Sequence, residues 1–300
     1  MVKLVDTRDL KSLGPLKGHA GSIPAPGTNF PTANCLLMER LSSRQNAHFK
    51  LARKLAESAR ERSKGGKLLL DGTRLIRAYA DQFGFEDVLL LLSEAGAERS
   101  EVRELIEAAK PRNVFLLADD LFAEITQVET PEGVTAITPI PHVASRPKDD
   151  FRVLIDGVQD PGNVGGLLRT AAAAGATSAH LTKGCADVWS PKSLRGGMGA
   201  QFVLPVRERV DLTTALTGFR GSVIATSPHA EQSIHDIDLT GTVALIFGNE
   251  GRGLGEEGRA LATQLVHIPM AGKVESLNVA AAAAVCCFER LRQISGKPAP

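Results

Sequence analysis

Five polar side chains stand in three glycine-bearing stretches of this sequence. Asn163 and Arg169 belong to Asp156-Gly-Val-Gln-Asp-Pro-Gly-Asn163 and the alanine-rich run after it. Glu250 lies in Gly248-Asn-Glu-Gly-Arg-Gly253, and Ser276 and Asn278 end the stretch that starts Ile268-Pro-Met-Ala-Gly272. A guanidinium can orient a phosphate and stabilise an oxyanion. A carboxylate can accept from a sugar hydroxyl or from that guanidinium. Glycines let a backbone come close to a ligand. Plainer roles exist for each. Asn163 is a natural N-cap, Glu250 can sit in a left-handed turn, and Ser276 or Asn278 can cap a helix. Arg169, amid Leu and Ala, needs either a structural carboxylate or an anionic substrate.

Two familiar nucleotide motifs fail here. A dinucleotide fingerprint counted from Gly162 needs a second glycine where Val164 stands. A P-loop needs a Gly-Lys-Ser/Thr ending where Leu167-Leu168 stands.

Short apolar runs alternate with helical periodicity around these stretches. Strands are predicted at 151–155, 178–182, 202–204, 222–225, 243–247 and 265–268. Helices are predicted at 164–174, 190–196, 211–217, 254–262 and 276–293. This is an α/β domain with a mostly parallel sheet. Ligands of such sheets gather at the carboxyl ends of the strands, where all three stretches fall.

Residues 38–140 read as a smaller α/β domain. Its start, 38–67, is helical and basic, with Arg44, Arg53, Lys54 and Arg60 among its cations. That run is either a solvated helix face or a contact to RNA phosphates. Strands are predicted at 67–71, 87–92, 113–117 and 133–139, with helices at 72–82, 98–109 and 120–127. Residues 141–150 are proline-bearing and without period, and read as a linker. The second domain spans 151–295, with a tail at 296–300.

Residues 1–37 show no apolar period and read as disordered. Gly21–Thr28 can be encoded through GTTCGATTC, the form of a tRNA T-arm. Met1–Thr7 and Arg8–Leu13 can be encoded as the arms that precede it. The expectation is translation annotated through an upstream tRNA gene, with Met38 as the start.

The chain has a net charge of +1 and is 43% hydrophobic, so no overall field announces a polyanion partner. Its four cysteines, Cys35, Cys185, Cys286 and Cys287, form no CxxC pair. A reduced, cytoplasmic protein without a metal site is expected. No apolar run approaches the ~20 residues that span a bilayer, so no membrane is expected either. His180 and the single Trp189 read as structural.

Taken together, the three stretches resemble the SpoU (TrmH-like) family of RNA 2′-O-ribose methyltransferases, in the SPOUT class. Asn163 with Arg169 matches its first motif, Gly248-Asn-Glu-Gly251 its second, and Ile268-Pro-Met-x-Gly with Ser276-Leu-Asn278 its third. Residues 38–140, from Leu41-Ser-Ser-Arg-Gln-Asn46, are similar to an L30e-like substrate-binding domain. The resemblance implies a trefoil-knotted parallel-sheet domain, a homodimer and S-adenosylmethionine as cofactor. It implies cofactor contacts from Ala225, Thr226, Gly248, Asn249, Gly251, Ile268, Met270, Ser276 and Leu277. It assigns catalysis to Arg169, Asn163, Glu250, Ser276 and Asn278, with Asn163, Glu250 and Ser276 fixing the arginine and the ribose. A guanidinium keeps its proton in proteins, so Arg169 is expected to stabilise an alkoxide rather than to act as a base. Ribosomal RNA is expected before tRNA as substrate. The competing expectations are a non-catalytic RNA-binding protein on the same fold and a nucleotide-dependent oxidoreductase.

Overall fold

The computed structural model describes residues 38–109, 113–272 and 276–296. Residues 1–37, with their expected disorder and upstream origin, lie outside that range, as does most of the expected tail.

The first half runs β1 (Glu39–Leu41), α1 (Ala47–Glu57), α2 (Ala59–Gly65), β2 (Lys67–Asp71), α3 (Thr73–Phe83) and β3 (Leu89–Ser93). It continues with α4 (Glu94–Ala97), α5 (Ser100–Ala109), β4 (Val114–Leu117), α6 (Asp119–Ala123) and β5 (Val134–Pro139). Its five strands form one mixed sheet in the order β1-β4-β3-β5-β2. The expected basic helix over 38–67 is corrected: it is a strand and two helices. Asn46 stops the helix from starting earlier, because its Oδ1 accepts from the His48 and Phe49 amides. Ser58 divides it, extended at φ −125° and capping α2 through its hydroxyl. The expected helix at 120–127 closes early, at Ala123.

Residues 140–150 carry neither helix nor strand. The second half runs β6 (Phe151–Ile155), α7 (Pro161–Ala173), β7 (Ser178–Leu181), α8 (Pro191–Gly197), β8 (Val206–Arg207) and α9 (Leu212–Ala215). It ends with β9 (Ser222–Thr226), β10 (Gln232–Ser233), β11 (Val243–Phe247), α10 (Glu256–Leu261), β12 (Gln264–His267) and α11 (Val279–Ile294). Seven strands stand in the order β10-β12-β9-β11-β6-β7-β8, and every pairing is parallel. Central strands of such a sheet are covered on both faces and read as unbroken apolar runs. Val-Ala-Leu-Ile-Phe of β11 is buried at every position.

The expected strand at 202–204 is corrected to a 3-10 turn, Ala200–Phe202, with pairing to β7 delayed to β8. Phe202 and Leu204 are buried and Val203 exposed, the alternation of a strand. The buried Gln201 holds the turn instead, donating its amide to Ser193 O at 3.1 Å. Pro205 is the first residue of this segment to bond β7, its carbonyl accepting from Ala179 N at 2.9 Å.

Helix α7 lies between α8 and α11 at very close range. A Cβ on Gly165 would stand 2.3 Å from the Ser193 carbonyl oxygen. A Cβ on Gly166 would stand 3.2 Å from the Ala280 methyl. Small residues on all three helices therefore set the position of α7, and with it Asn163 and Arg169.

The two halves share one hydrophobic core. Tyr79 meets Phe202 edge-on, with ring centroids 5.3 Å apart. Arg62 of α2 reaches the second half, its Nε donating to Asp187 Oδ2 at 2.8 Å.

Candidate active site

Three of the four central strand ends carry the expected stretches, and the fourth carries Ala225 and Thr226. In sheet order β12, β9, β11 and β6 are neighbours. Their carboxyl ends present Ile268 to Met270, Ala225 with Thr226, Gly248 to Gly251, and the loop to Asn163. The sequence reading of one shared ligand edge matches this geometry.

The loop after β6 ends at Asp160, which caps α7 by accepting from Asn163 N at 2.9 Å. Asn163 is therefore not the N-cap expected from sequence. It sits inside the first turn, and its side chain is released for other partners. Its Nδ2 donates to Glu250 Oε1 at 3.0 Å. Its Oδ1 accepts from Asn278 Nδ2 at 2.9 Å. Asn278 is the cap of α11, accepting from Ala280 N at 2.9 Å. One amide thus joins all three motifs, and the two helix starts lock each other.

Glu250 is exposed, and burial raises its pKa only against stronger opposition. Donation from Asn163 and from nearby backbone N–H groups, including Gln159, holds it below the usual carboxylate range. The carboxylate stays ionised and acts as an acceptor.

Asn249 is a loop brace. Its Nδ2 donates to Gly157 O at 2.7 Å, and its Oδ1 accepts from Gly251 N and Arg252 N at 2.9 and 3.0 Å. Its backbone is bonded as well, exchanging N–H···O bonds with Gly253 at 3.1 and 2.9 Å, so this side chain chiefly holds the loop in shape. Gly248 has no room for a side chain, since a Cβ would stand 2.6 Å from the Gly253 carbonyl. Met270 and Leu277 are exposed at 38% and 42% beside this cradle. Large apolar side chains left this bare mark a surface suited to contact. Ile268 is half-buried, Ala225 buried, and Ser276 exposed.

Arg169 is the exception. Six positions past Asn163, it lies about 240° further round the helix. It is exposed, and among the described residues it makes no ion pair with Glu250 or any other carboxylate. The expectation that Asn163, Glu250 and Ser276 hold Arg169 is corrected: helical phase separates them within one protomer.

The sequence reading missed several residues that build this site. Asp160 pairs with Lys192 at 2.6 Å. Thr182 Oγ1 donates to Asp156 Oδ1 at 2.9 Å and accepts from Gly157 N at 3.0 Å. The Asp-Pro-Gly order was the available signal for Asp160, because proline favours the position just after an N-cap.

His180 is buried, and burial with Arg152 and Arg207 nearby pushes its imidazole down to about 4. Trp189 is buried with its indole N–H on Glu208 at 2.7 Å. Neither faces the three stretches. Among the described residues no cluster of His, Cys, Asp and Glu could hold a metal. No described helix is long and apolar enough to cross a membrane.

Known proteins agree with this layout. Residues 150–288 match the model of the SpoU rRNA methylase family, and residues 46–136 match the MRM3-like substrate binding domain. An uncharacterised tRNA/rRNA methyltransferase of Synechocystis is 35% identical over 84% of this chain and 93% of its own. The 23S rRNA (uridine(2479)-2′-O)-methyltransferase of Streptomyces viridochromogenes is 34% identical over 87% of this chain and 94% of its own. The crystal structure of the SpoU methyltransferase AviRb of that organism, in complex with AdoMet, superposes with a TM-score of 0.74. It is 29% identical and covers 85% of this chain and 100% of its own. With relatives of 34–35% identity matched along most of its length, the chain belongs to the SpoU rRNA methylase family.

Proposed function

We propose that this protein transfers a methyl group from S-adenosylmethionine to a ribose 2′-hydroxyl of 23S ribosomal RNA. The observation that carries this is the Asn163–Glu250–Asn278 network, which joins the three family motifs at one sheet edge. An alternative without catalysis, an RNA-binding protein on the same fold, would need that network only to hold the two helix starts together. The test is a map of 2′-O-methyl sites in total RNA from cells with and without the gene. A ribosomal site that vanishes with the gene and returns with the protein supports the reading. An unchanged map sinks it.

The cofactor supplies an electrophilic methyl on a sulfonium. The backbone around Gly248 and the Met270 and Leu277 side chains hold it, within the chain path that the family ties as a trefoil knot. Ser276 contributes its hydroxyl at the mouth. Asn163, fixed from both sides, orients the ribose beside them. As the 2′-oxygen loses its proton to solvent, an Arg169 guanidinium, brought to that ribose across a homodimer interface rather than from the same protomer, stabilises the developing negative charge. Glu250 stays anionic and keeps Asn163 in one amide orientation.

The protein acts as a homodimer in this reading. Helix α11 leaves Ala281, Ala284, Val285 and Phe288 along one side, with Phe288 45% exposed. A face so nearly free of side chain allows close approach of a second copy. A second protomer here is also a simple way to bring a substrate between Arg169 and the three loops. Sedimentation is expected to give a dimer at micromolar concentration, and a monomer refutes the assignment. The work is cytoplasmic, on ribosomal RNA rather than tRNA, and involves no membrane.

We assign RNA recruitment to residues 38–140, joined to the catalytic part 151–295 through 141–150. Arg44, Arg53 and Lys54 pair with Glu124, Glu57 and Glu61 at 2.6, 3.3 and 3.9 Å. Their side chains are 53–63% exposed. Such pairs contribute little, so phosphates can replace the carboxylates. Changing Arg53, Lys54 and Arg60 together to Ala is expected to weaken RNA binding. It should also flatten the salt dependence by up to about 2 in log-log slope. Filter binding across salt concentrations measures it. Unchanged binding makes the run a solvated face.

A further inference from the structure

A cavity of about 410 Å³ opens where α2 meets the carboxyl ends of β7 and β8. Ala59, Thr182, Lys183, Asp187, Glu208 and Arg209 line it. Its size lies within the roughly 300–1,000 Å³ of small-molecule sites. Its wall is shared with the catalytic loop, since Thr182 holds both Asp156 and Gly157. It is not the site described above, whose motifs lie on other strands.

The floor is acidic and the rim basic. Asp187 gives one oxygen to Arg62 and the other to Trp189 N, at 2.8 and 3.0 Å. Glu208 Oε2 accepts from the Trp189 indole N–H at 2.7 Å. Burial, with Asp187 nearby, pushes the Glu208 carboxyl above the usual range despite that bond. More N–H donors would relieve it. At the rim, Lys183 and Arg209 are exposed. Among the described residues neither makes an ion pair. Arg209 also holds φ +58°, one of two non-glycine residues with positive φ among those described. Left-handed backbone of this kind gathers at ligand contacts more than elsewhere.

Resting on the function proposed above, we propose that this cavity holds a second nucleotide of the substrate RNA, not the methylated one. Its base presents N–H donors to Glu208, and its phosphate lies on Lys183 and Arg209. Guanine fits best, because its N1–H and N2 amino group can both donate to one carboxylate. The site therefore sets sequence context around the target rather than performing chemistry.

The single tryptophan is its own reporter, since Trp189 donates its indole N–H to Glu208, which lines the cavity. The full-length protein, saturated with S-adenosylhomocysteine, is titrated with 5′-GMP and 5′-UMP while Trp189 emission is followed. GMP is expected to shift the emission and UMP to do so far more weakly. Glu208→Gln keeps the shape and an acceptor for Trp189, and should weaken GMP about tenfold. In parallel, methyl transfer to an unmodified 23S rRNA transcript is measured. Arg209→Gly suits the left-handed backbone, so folding is retained. It should raise KM for the transcript about tenfold and leave kcat within about twofold. A wild-type protein inactive on the transcript overturns the function reading, while the GMP titration still stands by itself. An active wild type with silent Trp189, or with variants of unchanged GMP affinity and KM, overturns the cavity assignment.

Discussion

Arg169→Lys is expected to lose nearly as much turnover as Arg169→Ala, about 10²–10³-fold for one preorganised donor. S-adenosylmethionine affinity and melting temperature should both stay close to wild type. Arg169 is exposed on α7, and Glu250, the carboxylate a structural role would need, is bonded to Asn163 instead. Removing the guanidinium therefore breaks no ion pair within the described residues. The neighbouring Leu167 and Leu168 carry the packing of this turn, both fully buried. What is lost is a planar fork of donors that can hold ribose and phosphate oxygens together. A lysine offers the charge at one point and cannot hold two oxygens in fixed geometry. The proposed cofactor contacts lie at the strand ends of β9, β11 and β12, which the substitution does not touch. Three measurements on both variants decide it: turnover on rRNA, cofactor titration and thermal melting. A lysine variant with near wild-type turnover excludes the fork. A drop of several degrees in either variant restores the structural role.

The legible parts of this fold were those where one physical signal dominates. Strands β6 and β11 are apolar at almost every position because both faces are covered, and the sequence shows that directly. The meeting of three motif loops was also readable, because parallel strands put all their following loops at one edge. The failures share a cause as well. Asn163 and Asp160 are both good caps, and only the position of Pro161 between them decides for Asp160. Phe202-Val-Leu204 alternates like a strand, but Gln201 and its bond to Ser193 O make a turn of it. Ser58 in a basic run looks like one more exposed helix position, yet its hydroxyl caps α2. In each case a side chain bonding backbone overrides periodicity, and such a bond is invisible until the partner is known. The same holds for Arg62. Within a run of cations it looks solvated, and it is the one whose side chain is only 5% exposed.

Arg62→Ala is therefore expected to be the most destabilising change in the basic segment, about 3 kcal/mol. Its guanidinium does two jobs. Nε and Nη2 both donate to Asp187 Oδ2, and Nη1 donates to the Leu55 carbonyl at the end of α1. Alanine leaves the Asp187 carboxylate, 22% exposed, without its counter-charge. Water reaches that carboxylate in part, which puts the cost at the lower end of the range for buried pairs. For a chain of this size the loss corresponds to a fall of roughly 5 °C in melting temperature. Asp187→Ala should cost a similar amount, because it strands the guanidinium instead. The double variant should cost clearly less than the sum, since no charge is then left unpaired. Additivity within about 0.5 kcal/mol would show that the two residues act independently and overturn the pairing. Function should follow position. Arg62 fastens α2, which carries Arg60 and Ala59, to the catalytic half. Below the melting transition, Arg62→Ala should raise KM for RNA and leave cofactor affinity unchanged. An unaltered KM would mean that the fastening serves stability alone.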